Sequence, residues 1–319
     1  MSLSRLSRRS LVTGAAGAGA ALFATSAPRA AAAATIVPPP SPYATKLPHQ
    51  IEAERLVDYL RMRPWSDNAN RYKTADSESD EFEGLYTSVK WGASGHPEQF
   101  GNLAQCSSFI TLVLEQAYGP ASAHGGLPGY GWATKEYFQQ YFKTTKRFPT
   151  AELFQQGFVE TATALNPRFN AVTKPVNLRA GDLVAFDYNP NSTSVPYTGH
   201  IVMIRERKGT WSDPVIDAQV GSNVIPYVFE IIDCTSDPHG NPNIAGATDL
   251  YRAFPDTRIE EPADANAHWA EYNGAGYGHM IFYADATTKL FAGYRWSVNS
   301  PTPRKIADRP IAAARIDLD

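Results

Sequence analysis

The stretch GNLAQCSSFITLVLEQAYG, residues 101–119, decides how the chain is read. Phe109, Ile110, Leu112, Val113, Leu114 and Ala117 recur too densely for a surface helix and predict a buried one. Gly119 and Pro120 end it. One of only two cysteines, Cys106, stands at its start. A helix N-terminus presents unpaired N–H groups and a partial positive charge, so a thiolate placed there is stabilised and nucleophilic. Two structural roles stay open for Cys106: a buried core thiol, or a disulfide with Cys234.

A nucleophilic thiol needs a base. C-terminal to the helix the pattern changes to strands: DLVAFDY (182–188), HIVMIRE (200–206), VFEIID (228–233), MIFYAD (280–285) and LFAGYRWS (290–297). His200 opens the second of these, where its ring can take the thiol proton and return it to a leaving amine. Asp233 closes the third, where a carboxylate can fix the tautomer of His200. Asp217, Glu230 and His239 compete for that orienting role. If Asp233 faces the site, strand alternation turns its neighbour Cys234 away. Asp182, after Gly181 at a turn, reads as structural, and NGAGYG (273–278) as a Gly-rich turn. No zinc-ligand spacing is present, so no metal or organic cofactor is expected.

N-terminal to the helix, His49–Met62 has helical spacing and stops at Pro64. Residues 66–83 are polar and acidic and read as a solvated loop. Two further helical patterns fall within 132–160, in an insert of about 132–175. Helices first and strands later predict an α+β domain, N-terminal helices packed on a mostly antiparallel sheet, over 49–300. Residues 301–319 read as a C-terminal tail.

The first 34 residues are a different problem. Arg5, Arg8 and Arg9 precede an uncharged Ala/Gly-rich run and small residues suited to signal peptidase. The Arg8-Arg9 pair resembles a twin-arginine export signal. A Pro-rich linker, 35–48, follows. Loss of residues 1–34 would remove four of 29 basic residues and no acid, leaving 25 against 32 and a net charge of −7. Without a polybasic run beyond the first ten residues, nucleic-acid binding is disfavoured. Stable membrane insertion is not expected either.

WGASGHPEQFGNLAQCSSFITLVLEQAYG (91–119), RAGDLVAFDY (179–188) and GHIVMI (199–204) together resemble the NlpC/P60 family of papain-like cell-wall hydrolases, over roughly residues 86–235. Gln105 stands where that family usually has Asp, and Ser108 where it has Gly. The resemblance implies a papain-like fold with Cys106 as nucleophile and His200 as base. The family's third residue is commonly His soon after the strand, whereas the reading here reaches to Asp233 for a Cys106–His200–Asp233 triad. The resemblance places Gln105, Tyr86, Trp91 and Ser107 about the oxyanion and substrate. It implies cleavage of an amide in the peptide part of peptidoglycan, after passage through the twin-arginine translocase to the periplasm or outside. An exported cell-wall-binding protein on the same fold, or an acyltransferase acting on a small molecule, are the alternatives.

Overall fold

Pro48 sits in the first turn of α1 (Pro48–Arg61), where its missing N–H costs nothing. His49 then locks the helix to two distant parts of the chain. Its Nδ1 accepts the Tyr118 hydroxyl, and its Nε2 donates to the Gly181 carbonyl, each at 2.7 Å. Burial pulls this imidazole down to about 4, against the raising effect of the Gly181 bond. Gly181 itself is left-handed, with φ of 88°, in the turn that starts the main sheet.

The computed structural model describes residues 46–73, 87–161, 166–188, 198–244, 246–264 and 267–318. All belong to one unit, Ala34–Asp319. The expected export signal, most of the linker, Tyr86 and much of the acidic 66–83 stretch lie outside the described residues.

After α1 come β1 (Asn70–Tyr72), β2 (Ser88–Lys90) and β3 (Gly101–Ala104), a small sheet in the order β1-β3-β2. Part of the segment expected as loop is therefore strand. Next are α2 (Cys106–Tyr118), α3 (Lys135–Tyr141), α4 (Ala151–Thr161), β4 (Phe169–Ala171), β5 (Leu183–Asp187) and β6 (Gly199–Thr210). The remainder is α5 (Pro214–Val220), β7 (Val224–Thr235), α6 (Thr248–Ala253), β8 (Ile259–Glu260), β9 (Ala270–Glu271), β10 (Gly274–Asp285), β11 (Phe291–Arg295), β12 (Pro303–Lys305) and β13 (Ile311–Ile316).

Eight of these strands form one sheet in the order β12-β11-β10-β7-β6-β5-β13-β4. Each neighbouring pair in it is antiparallel. The architecture is α+β, as the sequence pattern predicts. Helices α1, α2 and α4 bury their apolar sides with Ile201, Met203, Ile232 and Cys234 from one sheet face. Val184, Val202, Ile204, Phe229, Ile231 and Phe282 make a second core from the other. The helical insert is part of the first core, through Phe138, Phe142, Phe154 and Phe158 packed with Phe169.

Two segments depart from their sequence reading. The expected tail supplies β12 and β13, and β13 lies inside the sheet between β5 and β4. Its run IAAARI is mostly alanine, too weakly apolar to signal a strand, yet alanine is what fits under α4. The segment NGAGYG is not a turn. From Gly274 onward it is the start of β10, paired residue for residue with β7.

Candidate active site

Cys106 is the first residue of α2, and its thiol is 6% exposed. Gln105 precedes it with extended backbone, and its N–H donates to Ser108 Oγ at 3.0 Å. That bond fixes the entry into the helix. His200, the second residue of β6, interacts with the Cys106 thiol. Its Nε2 donates to Asp233 Oδ2 at 2.7 Å, so Nδ1 is the ring nitrogen left for sulfur. The three residues read from the sequence as nucleophile, base and orienting acid thus come together. Both cysteines are free. Cys234 turns to the opposite face, where Asn102 Nδ2 donates to its sulfur and the sulfur donates to the Ala104 carbonyl.

Asp233 is buried completely. Besides His200, its Oδ2 faces His239 Nε2 at 3.0 Å, and its Oδ1 accepts Arg258 Nη1 at 2.8 Å. Arg258, also fully buried, reaches Asp256 through Nε at 2.9 Å and Nη2 at 2.7 Å. Burial alone would push the Asp233 carboxyl up. The charges of Arg258 and His239 and the His200 bond win, and hold it well below the usual carboxylate range. For His200, burial pulls down, but the Cys106 sulfur and Asp233 outweigh it, and the imidazole is raised above its usual 6.5. Two carboxylates and one guanidinium leave one negative charge beside His200 and His239.

The glycines of β10 make room for this network. Gly276 lies opposite Asp233 in the strand pairing. A Cβ on Gly276 would stand 2.9 Å from the Arg258 side chain, and one on Gly278 2.7 Å from Asp256 and His239. Bare backbone at both positions lets the ion network lie flat on the sheet. Trp296 closes it from the other side. Its ring stacks on His239 with centroids 4.1 Å apart and meets His200 edge-on at 4.9 Å. Its carbonyl accepts His239 Nδ1 at 2.6 Å.

Of the three rivals to Asp233, His239 alone joins the site. Glu230 pairs with Arg205 and Lys208, and Asp217 accepts the hydroxyls of Ser212 and Tyr283. Asp182 makes a bidentate pair with Arg315, as a structural residue does. Trp91 does not serve the site as expected: its Nε1 donates to the Glu52 carbonyl of α1, and the ring packs on the first core. Ser107 is buried, with its carbonyl bonded to the Thr111 hydroxyl. Tyr86 lies outside the described residues.

Arg258, Asp256, Trp296 and Tyr188 carried no signal in the sequence reading. Tyr188, just past β5, lies close enough to Cys106 for the sulfur's charge to add to the upward shift that burial gives its phenol. A cavity of about 460 Å³ opens beside His200 and Tyr188.

Over 235 residues the chain is 23% identical to an uncharacterized protein of Acanthamoeba polyphaga mimivirus. That match covers 72% of this chain and 85% of the viral one. No protein-family model matches the chain. No solved structure matches it significantly.

Proposed function

We propose that this protein is an exported cysteine hydrolase of the papain-like NlpC/P60 type, cutting an amide bond in the stem peptides of peptidoglycan. One observation carries the reading: a single buried imidazole, His200, engages the Cys106 thiol on one side and the Asp233 carboxylate on the other. In the reaction His200 takes the thiol proton, and the sulfur bonds to the amide carbon. The carbonyl oxygen becomes an oxyanion near the Cys106 N–H, which as a first-turn donor has no intrahelical acceptor. Gln105 flanks that position. The C–N bond then breaks, and the amine leaves with the proton from His200. Water, deprotonated by His200, cleaves the thioester, giving a carboxylic acid and restoring the thiol. Asp233 keeps one His200 nitrogen occupied and favours the imidazolium throughout. The N-terminal signal points to the twin-arginine route and a periplasmic or extracellular site.

The test is digestion of purified peptidoglycan by the chain lacking residues 1–34, beside Cys106→Ala, with products read by mass spectrometry. New peptide fragments from the wild type alone support the reading. Equal digestion by both proteins, or by neither while Cys106 resists alkylation, contradicts it.

A second reading also has an observation behind it. His200, Asp233 and His239 place ligand atoms within 4.8 Å of one another, a set that suits a divalent cation such as zinc. Arg258 weighs against it, because a buried guanidinium 2.8 Å from Asp233 Oδ1 already supplies the cation this carboxylate needs. Calorimetric titration with zinc separates the two. Stoichiometric binding lost in His239→Ala would favour the metal site.

A further inference from the structure

The cavity beside His200 is walled in part by arginines that the triad does not use. Arg304 of β12 and Arg309 both line it. Neither has a carboxylate partner among the described residues. Arg258, Arg315, Arg205 and Arg147, by contrast, each pair with an acid. Arg309 is nonetheless held in place. Its guanidinium lies 4.2 Å over the Tyr188 ring, and its Nη1 donates to the Tyr294 hydroxyl at 3.2 Å. Among the described residues Asp237 is the one acid on the cavity wall, so guanidinium charge exceeds carboxylate charge among them before His200 is counted.

The order of these groups gives the cavity a direction. Tyr188 lines the cavity with His200, close enough to Cys106 to feel the sulfur's charge, and it shares a hydrogen bond with Tyr294. Tyr294 stands opposite Arg304 in the β11–β12 pairing. The wall therefore runs from His200 and Tyr188 through Tyr294 to Arg304, with Arg309 touching both phenols. Its volume of about 460 Å³ suits a short peptide rather than a single amino acid or a folded chain. Arg309, held by the two phenols and without an acid, is suited to receive a carboxylate, with the exposed Arg304 able to add a second guanidinium, since planar two-point pairing is what Arg offers best.

We infer that this cavity is the substrate subsite, and that it takes a peptide bearing a free carboxylate, received by Arg304 and Arg309 while Cys106 faces the scissile carbonyl. The inference rests on Cys106 being the nucleophile and adds the chemical class of what it attacks. On this account the enzyme prefers amides near an acidic group or a free C-terminus over neutral amides.

The experiment uses an affinity label, so that it does not depend on finding the natural substrate. Chloroacetyl-Gly-Ala and its C-terminal amide present the same electrophile with and without the carboxylate. Alkylation of Cys106 is followed by mass spectrometry across probe concentrations, giving a half-saturation concentration and a limiting rate for each. The expected result is half-saturation roughly 10-fold lower for the acid than for the amide, with similar limiting rates. Arg304→Gln, at an exposed position, should shrink that preference, and Arg304→Gln with Arg309→Gln should abolish it. Lys305→Gln removes a neighbouring charge outside the cavity lining and should leave it intact. Equal half-saturation for acid and amide in the wild type overturns the subsite. So does a preference that survives loss of Arg304 alone and of both arginines, or one lost equally in Lys305→Gln. Failure of both probes to label Cys106 in the folded protein overturns the nucleophile and the subsite together.

Discussion

The two thiols of this protein belong to the same core, Cys106 at the start of α2 and Cys234 near the end of β7, and their surroundings differ in a respect that matters. Cys234 is bonded to the neutral Asn102 amide and Ala104 carbonyl, with no imidazole bonded to its sulfur, and burial pushes its thiol far up. Cys106 is nearly as buried but stands at a helix start beside an imidazole that is itself tied to a carboxylate. Depth of burial does not distinguish them. An adjacent group able to take a proton and hold the charge does. The contrast extends to the acids of β7: Glu230 is neutralised by two cations near the surface, whereas Asp233 is neutralised inside, by residues that also orient His200.

The largest expected effect breaks the contrast directly. Cys106→Ala should abolish peptide hydrolysis, a loss of about 10⁴-fold or more, and leave the fold intact. Cys234→Ala should retain activity and cost about 1–2 kcal/mol of stability, through a small cavity and a lost hydrogen bond. Parallel assays and denaturant titrations of the two variants check this.

Next comes Asp233→Asn. It leaves Arg258 with half its counter-charge and His200 without its anionic acceptor. Destabilisation of about 3–5 kcal/mol is expected, by urea titration, together with a fall in kcat. Smaller still is Gly276→Ala. Its methyl would press on Arg258, costing about 1–3 kcal/mol, and kcat should drop while iodoacetamide still reaches Cys106.

The mildest test is pH. His200 is raised above its usual 6.5, so its protonated form persists past that value and is lost as pH rises through the raised one. Because His200 must be free of its own proton to take that of the thiol, the acid limb of kcat/KM should therefore lie above pH 6.5. Removing the carboxylate in Asp233→Asn should move it to lower pH. For stability the signs are opposite. The contribution from His200 is complete below 6.5 and fades above it. The contribution from Asp233 is present above its usual 3.8 and is lost only as pH falls through its depressed value.

Strong periodicity and strand-end chemistry made Cys106, His200 and Asp233 legible in the sequence, along with five strands of the main sheet. The rest was hidden for physical reasons. Arg258 and Asp256 lie about 25 residues beyond Asp233, on an irregular segment with no period to follow. The alternating glycines of β10 look like a turn because their purpose, space for a guanidinium and an imidazole, exists only in three dimensions. Strand β13 was masked by its alanines, which are small because a helix packs over them. Trp91 has the right residue type in the right order, but its indole N–H is spent on the Glu52 carbonyl.

The central claim is that the environment of Cys106, and not mere accessibility, makes it the reactive thiol. The most direct measurement is iodoacetamide labelling of the folded protein, with the rate at each cysteine resolved by peptide mass mapping, in wild type and His200→Ala. The account expects rapid labelling at Cys106, none at Cys234 until unfolding, and a large drop at Cys106 when His200 is removed. Labelling of Cys106 that is no faster than that of Cys234, or that is indifferent to His200, would contradict it.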